Sequence, residues 1–466
     1  MYRRLNACFL GILALLAWHG LLSPTVYAAD APARPNVIVI LVDDMGWTDL
    51  GCYGSDLFQT PNIDRLAKDG LRFTNAYAAC TVCSPTRAAM MTGKYPARLH
   101  VTDWIPGHGR QDAKLLVPDW TQYLPREEVT LAEALKEAGY ATGLIGKWHL
   151  GSQEEGWPDK HGFDVNLGGY HKGQPPSYFS PYKIPTLEDG PAGEYLTDRE
   201  AAEAVKFIEQ HKAGPFYLYM PHYAVHTPLQ AKKDVAAGYE AKITPATRHN
   251  NAKYAAMVTG VDDSVGRIVA KLAELGLTER TLIVFTSDNG GLLRSTDNVP
   301  LRAGKGSAYE GGVRVPAIVK WPAKIAPGGV CDQPIITPDY YPTLLAATGI
   351  AGTAGHNAQV DGVSLMPLFA DPKATLPRAS LYWHYPHYHP GGATPYAAVR
   401  HGDWKLIEFY EDSHVELYNL KDDIGESRDQ AKTNPDKAAE LQQELHAWQS
   451  RVKAQMPRAN PKFQGK

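Results

Sequence analysis

Two uninterrupted apolar, β-branched runs stand out in the pattern of hydrophobic and polar positions. The first occupies residues 36–42 and ends in Asp43-Asp44, and the second occupies 281–286 and ends in Ser287-Asp288-Asn289. Runs without polar alternation are typical of strands buried on both faces of a parallel sheet. Weaker periodicity predicts further strands at 143–145 and 216–220 and helices at 131–138, 198–210 and 254–275. This alternation predicts an α/β domain with a large, mostly parallel mixed sheet flanked by helices.

The pattern changes near residues 365–380, where Pro367, Pro372 and Pro377 mark a link. The segments that follow predict four short strands and one closing helix, at 380–383, 397–399, 404–409, 415–420 and 435–453. This order is typical of a smaller, C-terminal antiparallel α+β domain. The sequence therefore predicts a large α/β domain, a C-terminal domain and a loose tail, at residues 30–370, 371–456 and 457–466.

The N-terminus has the pattern of an export signal. Arg3 and Arg4 precede an apolar stretch at 7–18, and small residues follow up to Ala28 and Ala29. This pattern predicts a signal peptide at 1–29 and a mature protein in the periplasm or outside the cell. The stretch is too short for a membrane span, and the sequence offers no other stretch that is long and apolar enough.

Composition narrows the classes of function. The chain has 466 residues, of which 44% are apolar and 21% charged, so it has ample material for a core. Its net charge is −3 and it has no long basic run, which argues against nucleic acid as a partner. A polyanionic substrate would have to be attracted by local positive charge in the site. The four cysteines after residue 29 would permit two disulfides in an oxidising compartment.

The acidic residues after the two long strands are candidate metal ligands. Ligands bind at the carboxyl ends of strands in parallel sheets, and Asp43, Asp44, Asp288 and Asn289 stand there. Three carboxylates and an amide suit a hard cation, Ca²⁺ or Mg²⁺, rather than zinc. The structural alternative is a solvated turn or a helix cap at each pair. Gathering the carboxylates without a cation would be costly because like charges repel.

A cysteine precedes the most distinctive short motif, Cys-Ser-Pro-Thr-Arg-Ala-Ala-Met-Met-Thr-Gly at 83–93. Ser84 is the predicted N-cap and Pro85 the first residue of a helix that continues to Gly93. The positive end of a helix lowers the pKa of a thiol or holds an anion, which makes Cys83 a candidate nucleophile. The structural alternative is a buried cysteine that only packs.

Three further segments carry candidate chemistry. Lys147 and His149 alternate at the end of a predicted strand, which would point both to one side. Histidine can exchange a proton and lysine can bind an oxyanion, although a surface lysine and a packed histidine are the structural alternative. His226 precedes Thr227-Pro228, and Lys305 precedes a Glu-Gly-Gly turn at 310–312. We expect Glu310 and Arg314 to hold that turn rather than to take part in chemistry.

The motif at 83–93 resembles the signature of the type I sulfatases, Cys-(Ser/Thr)-Pro-x-Arg followed by a helix of small residues. Residues 139–151 closely resemble the second signature of that family. The segments that contain His226 and Lys305 are similar to its His-x-Pro and Gly-Lys-x₄-Glu-Gly-Gly elements. The resemblance extends from about Asn36 to about Asp429. It implies an alkaline-phosphatase-like fold and an enzyme that hydrolyses sulfate esters.

The resemblance also implies a mechanism. A maturation enzyme would oxidise Cys83 to formylglycine, an aldehyde whose hydrate has two hydroxyl groups. One hydroxyl would attack sulfur, and the other would collapse to the aldehyde and expel sulfate, which a plain serine or cysteine cannot do. Conversion of Cys83 would leave at most one disulfide among Cys52, Cys80 and Cys331, with the pairing open.

The roles of the remaining site residues follow from the same resemblance. The modified residue 83, Asp43, Asp44, Asp288 and Asn289 would hold one Ca²⁺, with Mg²⁺ less favoured. Arg87 would contact residue 83 and the carboxylates, and Lys147 and Lys305 would bind sulfate oxygens. His149 would take the proton from the second hydroxyl, and His226 would protonate the departing alcohol.

The sequence is compatible with two alternative functions and does not specify the sugar. A phosphonate or phosphate ester hydrolase of the same superfamily is the first rival, although a two-zinc phosphatase would need histidine at Asn289. A non-catalytic protein that binds sulfated glycans is the second. The segments 383–388 and 403–409 are similar to bacterial polysaccharide sulfatases, which implies a sulfated galactose or N-acetylgalactosamine unit. The three histidines at 384, 387 and 389 suggest either a zinc site or a loop that reaches the rim of the pocket.

Overall fold

The computed structural model describes residues 34–110 and 112–464, so the predicted signal peptide lies outside the described residues. The strands are β1 (Asn36–Val42), β2 (Leu71–Phe73), β3 (Ala76–Tyr77), β4 (Leu115–Leu116), β5 (Ala141–Ile145), β6 (Val165–Leu167), β7 (Phe216–Pro221), β8 (Thr281–Ser287), β9 (Ala317–Lys320), β10 (Gly329–Cys331), β11 (Ile335–Ile336), β12 (Ser380–Tyr385), β13 (Tyr396–His401), β14 (Trp404–Phe409), β15 (Val415–Asn419) and β16 (Arg458–Ala459). The α-helices are α1 (Pro61–Lys68), α2 (Cys83–Thr92), α3 (Pro96–Leu99), α4 (Leu131–Glu137), α5 (Gln153–Gly156), α6 (Leu196–His211), α7 (Lys233–Glu240), α8 (Ala252–Glu274), α9 (Glu310–Val313), α10 (Tyr340–Thr348), α11 (Ala354–Asn357), α12 (Met366–Ala370) and α13 (Pro435–Val452).

Eight strands form the central sheet, in the order β10-β2-β9-β8-β1-β7-β5-β6. Strand β1 pairs in parallel with both β7 and β8, and β5 pairs in parallel with β6 and β7. Only β9 runs against its neighbours, since it pairs antiparallel with β2 and β8. The prediction of a large, mostly parallel mixed sheet is therefore confirmed.

Helices cover both faces of this sheet, which explains the absence of polar alternation in β1. Ile38, Ile40 and Val42 belong to one apolar cluster, together with residues of α1, α6 and α8. Val37, Val39 and Leu41 belong to a second cluster, with residues of α2, α4 and α10. Every residue of β1 is fully buried, so both alternating faces of the strand must be apolar.

The smaller sheet has the antiparallel order β12-β13-β14-β15, as predicted. Helix α13 packs on it through Leu441, Leu445 and Trp448. The prediction of a loose tail from residue 457 is wrong, because β16 pairs with β4 and Asn460 Nδ2 donates to the carbonyl of Ala113. Among the described helices, none is long and apolar enough to cross a membrane. Cys52, Cys80, Cys83 and Cys331 all have free thiols.

Candidate active site

Four neighbouring strands, β8, β1, β7 and β5, bring the candidate residues to one edge of the central sheet. Asp43 and Asp44 directly follow β1, and Asp288 and Asn289 directly follow β8. Lys147 comes two residues after β5, and His226 five residues after β7. Because these strands are parallel, their carboxyl ends lie at the same edge. The topology thus assembles side chains that are up to about 245 residues apart in sequence.

The acidic residues of this edge are buried and each faces a cation. Lys147 Nζ lies 2.6 Å from Asp43 Oδ2, and Lys305 Nζ lies 2.6 Å from Asp44 Oδ1. Arg87 donates to Asp288 Oδ2 from Nε at 2.9 Å and from Nη2 at 2.8 Å. Burial, together with Asp288 and Asp44, raises the pKa of Asp43 against the attraction of Lys147 and Arg87. Burial also acts to raise the pKa of Asp44, but Lys305 and His226 lower it below its ordinary value.

The donor set fits a hard divalent cation. Asp43 Oδ1, Asp44 Oδ2 and Asn289 Oδ1 are buried and accept no hydrogen bond from the residues that the structure describes. Asn289 uses its amide nitrogen to donate to Asp44 Oδ1 at 2.8 Å, which leaves its oxygen free. Ligand atoms of Asp43, Cys83 and Asp288 lie within 4.8 Å of one another. Buried oxygens without partners are costly, so their convergence is explained by a metal with oxygen ligands.

Asp44 is held by residues that the sequence pattern did not reveal. Its backbone is left-handed, with φ of 64°. Tyr254, on α8, donates its hydroxyl hydrogen between the Asp44 carbonyl at 3.1 Å and Asp49 Oδ2 at 2.5 Å. The amide of Asp44 donates to Asp288 Oδ1 at 3.2 Å. These contacts fix a strained conformation of a candidate ligand, a feature that is common in functional sites.

Cys83 is the first residue of α2 and is buried. The prediction that Ser84 is the N-cap is wrong, because the cap position is Val82, which is extended and has no side-chain cap bond. Gly93 ends the helix in the left-handed conformation, with φ of 71°, as the motif predicts. The expected lowering of the thiol pKa does not occur, because burial raises the pKa of Cys83 more than Lys147 and Lys305 lower it. A thiol here is a poor nucleophile at neutral pH.

His149 reaches Cys83 without belonging to a strand. Strand β5 ends at Ile145, and His149 has φ of 60°, so the predicted alternation along a strand is wrong although both side chains reach the site. His149 Nε2 lies 2.6 Å from the carbonyl of Ile105, which can only accept. The neutral ring therefore turns its unprotonated Nδ1 to Cys83 Sγ, 3.4 Å away. Burial and Lys147 lower the pKa of His149 well below its ordinary value.

His226 and Lys305 close the site on the side of Asp44. His226 Nε2 lies 3.6 Å from Asp44 Oδ2, and its Nδ1 donates to the carbonyl of Thr227 at 2.8 Å. Burial and the two site lysines lower the pKa of His226 to about 3. The amide of Lys305 donates to the carbonyl of Gly291 at 3.0 Å, which ties its loop to the segment after β8.

A cavity of about 960 Å³ opens onto these residues. Its lining includes Asp44, Cys83, His149, His226 and Lys305, so these five candidate residues face one space, and the other candidate residues lie buried behind them. His389 also lines it, which agrees with the expectation that its loop reaches the rim of the pocket. The zinc alternative fails for the other two histidines: His384 bonds Tyr410 and the Gln455 carbonyl, and His387 bonds Thr102.

A buried ionic network joins the loop of Lys305 to the smaller sheet. Lys405, on β14, lies 2.9 Å from Glu310 Oε1 and 2.9 Å from Glu426 Oε1, and all three side chains are fully buried. Glu310 Oε2 accepts from Tyr77 at 2.7 Å and lies 3.1 Å from Arg314 Nε. Glu310 and Arg314 are therefore structural, as expected. Cross-sheet contacts of this kind have no signature in the local sequence.

The family follows from comparison with known proteins. The family model described as sulfatase matches residues 35–350, about two thirds of the chain, and includes the candidate residues. This chain belongs to the sulfatase family. A second model, described as N-sulphoglucosamine sulphohydrolase, C-terminal, matches residues 304–455 of this sulfatase. Members of the family hydrolyse sulfate esters, and the chain is accordingly a sulfuric ester hydrolase.

Relatives extend the match over most of the sulfatase. A sulfatase of Formosa agariphila is 33% identical and is aligned over 92% of this chain and 91% of its own length. The N-acetylgalactosamine-6-sulfatase of Canis lupus familiaris is 36% identical over 73% of this chain and 67% of its own length. The crystal structure of Ps i-CgsB in complex with k-i-k-neocarrahexaose superposes with a TM-score of 0.74 and 33% identity, over 89% of this chain and 92% of that one.

Proposed function

We propose that this sulfatase removes sulfate from glycans, with a formylglycine made from Cys83 and one bound Ca²⁺. The observation that carries the proposal is the arrangement around Cys83 Sγ. The unprotonated Nδ1 of His149 lies 3.4 Å from this sulfur, and the pKa of the Cys83 thiol is raised. A general base beside a residue that is a poor thiolate supports a different chemical group at position 83. Hydrated formylglycine would supply two hydroxyl groups on one carbon at this position.

Asp43, Asp44, Asp288 and Asn289 would hold the cation, together with residue 83. Three of these side chains have buried oxygens without a hydrogen-bond partner in the described part of the chain, which supports an oxygen-ligated metal. All four positions offer oxygen only, a set that suits Ca²⁺ or Mg²⁺ and not zinc. The cation would act as a Lewis acid that neutralises charge on sulfate oxygens.

Of the remaining residues, the lysines and the arginine would neutralise charge, and the two histidines would transfer protons. Lys147 lies 2.6 Å from Asp43 and Lys305 lies 2.6 Å from Asp44, and both lysines would bind sulfate oxygens. Arg87 would keep Asp288 in place through its paired hydrogen bonds. His149 would accept a proton from residue 83 at Nδ1. His226, at the cavity wall, would donate a proton to the departing alcohol oxygen once the negative charge of the bound sulfate ester raises its pKa from the low value that burial and the two lysines impose.

A glycan is the substrate class that the surroundings of the site favour. The cavity is near the upper end of the range that holds drug-sized ligands, which leaves room for a sugar around the sulfate. Two of the relatives are named for or bound to sulfated sugars, an N-acetylgalactosamine sulfatase and a neocarrahexaose complex. We propose that the substrate carries its sulfate on a galactose or N-acetylgalactosamine unit. We also propose that the protein is exported through its N-terminal signal. A panel of singly sulfated sugars would identify the unit, and N-terminal sequencing of secreted protein would test the export.

The test of the reaction compares two esters with the same leaving group. Wild-type enzyme, produced with a maturation enzyme and supplied with Ca²⁺, should hydrolyse 4-nitrophenyl sulfate faster than a 4-nitrophenyl phosphonate ester. The variant Cys83→Ala should lose both activities and keep its fold, as judged by circular dichroism. Faster turnover of the phosphonate would replace the proposed function with its superfamily rival. Binding of sulfated glycans without any turnover by matured enzyme would favour the non-catalytic alternative.

A further inference from the structure

Two cations in the cavity lining have no partner among the described residues. Lys172 and Arg294 are exposed, and within the described ranges neither side chain makes an ion pair or a hydrogen bond. Their situation differs from that of Lys147 and Lys305, each of which lies against an aspartate. Charged side chains in a ligand cavity usually fix the orientation of a ligand, and these two are free to do so.

Both cations stand on loops that are tied to the catalytic residues. Lys172 precedes Gly173, where an added Cβ would lie 2.3 Å from Cε1 of His149, so this loop packs directly on the histidine ring. Arg294 lies in a turn closed by the bond from the Ser295 amide to the carbonyl of Leu292. Leu293, which is 61% exposed, lies against Gly304 beside Lys305. The two positively charged groups are thus held near the site by an ordered backbone.

The balance of charge in the lining favours an anion. The only carboxylates of the described lining are Asp44, which Lys305 faces, and Glu155. Glu155 accepts from the amide of Ser152 at 2.8 Å and caps the start of α5. The chain as a whole carries −3, so the positive charge of the cavity is a local feature. A cleft with one sign of charge attracts ligands of the opposite sign.

We propose that Lys172 and Arg294 form a second anion-binding subsite, which receives a sulfate or carboxylate group of the glycan other than the ester that is cleaved. The exposed side chain of Leu293, which also lines the cavity, would offer an apolar surface to the sugar. This inference rests on the proposed function and narrows its substrate class to saccharides with at least two anionic groups. A saccharide that carries only the scissile sulfate would leave both cations unpaired.

Equilibrium binding to the inert variant Cys83→Ala tests the subsite separately from catalysis. The probes are a κ-carrageenan disaccharide with one sulfate, an ι-carrageenan disaccharide with two, and a chondroitin disaccharide with one sulfate and one carboxylate. Titration calorimetry in the presence of Ca²⁺ should show tighter binding of one or both dianionic probes. The probe that benefits identifies sulfate or carboxylate as the second group.

Removal of the two cations should abolish that preference. In the Cys83→Ala background, Lys172→Ala with Arg294→Ala should weaken binding of the preferred dianionic probe by about 3- to 20-fold, with less than about twofold effect on the monosulfated probe. The matched control replaces Lys421 and Lys432, which are also exposed, make no ion pair in the described structure and lie outside the cavity lining. It removes the same charge and should leave the preference intact.

Three results would overturn the subsite. These are equal affinity for all three probes, equal losses for monoanionic and dianionic probes in the double variant, and the same loss in the control. Failure of matured wild-type enzyme to cleave 4-nitrophenyl sulfate refutes the proposed function instead. The binding preference would then still be observed in the calorimeter, so the two failures are distinguishable.

Discussion

The buried Lys405 provides a quantitative test of how the smaller sheet supports the catalytic loop. Its ammonium group lies 2.9 Å from Glu310 and 2.9 Å from Glu426, all without exposure to solvent. At an effective dielectric constant near 20, each contact corresponds to about 6 kcal/mol of Coulomb attraction before desolvation is considered. Removing one member of a buried ion pair typically costs about 3–5 kcal/mol, because the remaining charge is left uncompensated. We expect Lys405→Met to lose stability in that range.

The pH dependence of this loss follows from Glu426. Burial first, and Glu310, raise its pKa from 4.5 to about 7, while Lys405 lowers it. A carboxyl group whose folded pKa is raised loses stability as pH rises from its unfolded pKa to its folded pKa. Without Lys405 the folded pKa is higher still, so that loss continues above pH 7. The cost of Lys405→Met should therefore be larger at pH 8 than at pH 5.

Urea unfolding of wild type and Lys405→Met at both pH values measures these effects through the midpoint and slope. Adding Glu426→Gln to the Lys405→Met variant should recover at least about 1 kcal/mol of unfolding free energy at pH 8, because it removes a charge that Lys405 no longer balances. The exposed Lys432→Met is the control and should change stability by less than about 0.5 kcal/mol. A cost for Lys405→Met below about 1 kcal/mol, or one that is equal at both pH values, would refute the reasoning.

Three further predictions address other parts of the molecule. Burial raises the pKa of Asp103 from 3.8 to about 7, although Tyr385 and Trp104 donate hydrogen bonds to its carboxylate. The carboxyl group therefore reduces the stability of the fold as pH rises between these two values. Asp103→Asn should raise the urea midpoint relative to wild type at pH 8 and not at pH 4. Removal of metal by a chelator should lower the urea midpoint of unfolding. Addition of Ca²⁺ to a concentration of about a hundred times its Kd should restore about 3 kcal/mol of unfolding free energy. A midpoint that does not change would speak against a bound cation. Gly173→Ala places a Cβ against the ring of His149 and should reduce kcat by about 100-fold with a near-native midpoint, whereas Gly214→Ala, with open space around its Cβ, should leave kcat unchanged.

Regular elements with strong patterns could be predicted from the sequence because burial alone determines them. Strand β14 has both predicted bounds, and β1 and β8 follow the two apolar runs to within one residue. Short strands such as β4 and β6 were not predicted, since two or three residues contain no period. The pairing of the tail with β4 could not be predicted, because the two strands are more than 300 residues apart in sequence.

The candidate site was predicted through its motifs, and its supporting contacts were not. The acidic pairs end long buried strands, so a parallel sheet already implies that they meet. Tyr254 lies on α8 and bonds Asp44 across 210 residues, and Ile105 orients His149 through a backbone carbonyl. Neither contact depends on a pattern in neighbouring residues. No sequence pattern singles out Lys172 and Arg294, because an unpaired surface cation has no signature until the fold places it in a cavity.

The chemical state of residue 83 is the most direct test of the account. Active enzyme purified from a cell that contains the maturation enzyme should be digested, and the peptide with residue 83 analysed by mass spectrometry before and after reaction with a hydrazide. We predict that this peptide has lost its sulfur, carries an aldehyde that forms the hydrazone, and increases in proportion to specific activity across preparations. Full sulfatase activity in a preparation whose residue 83 is entirely unmodified cysteine would contradict the proposed mechanism.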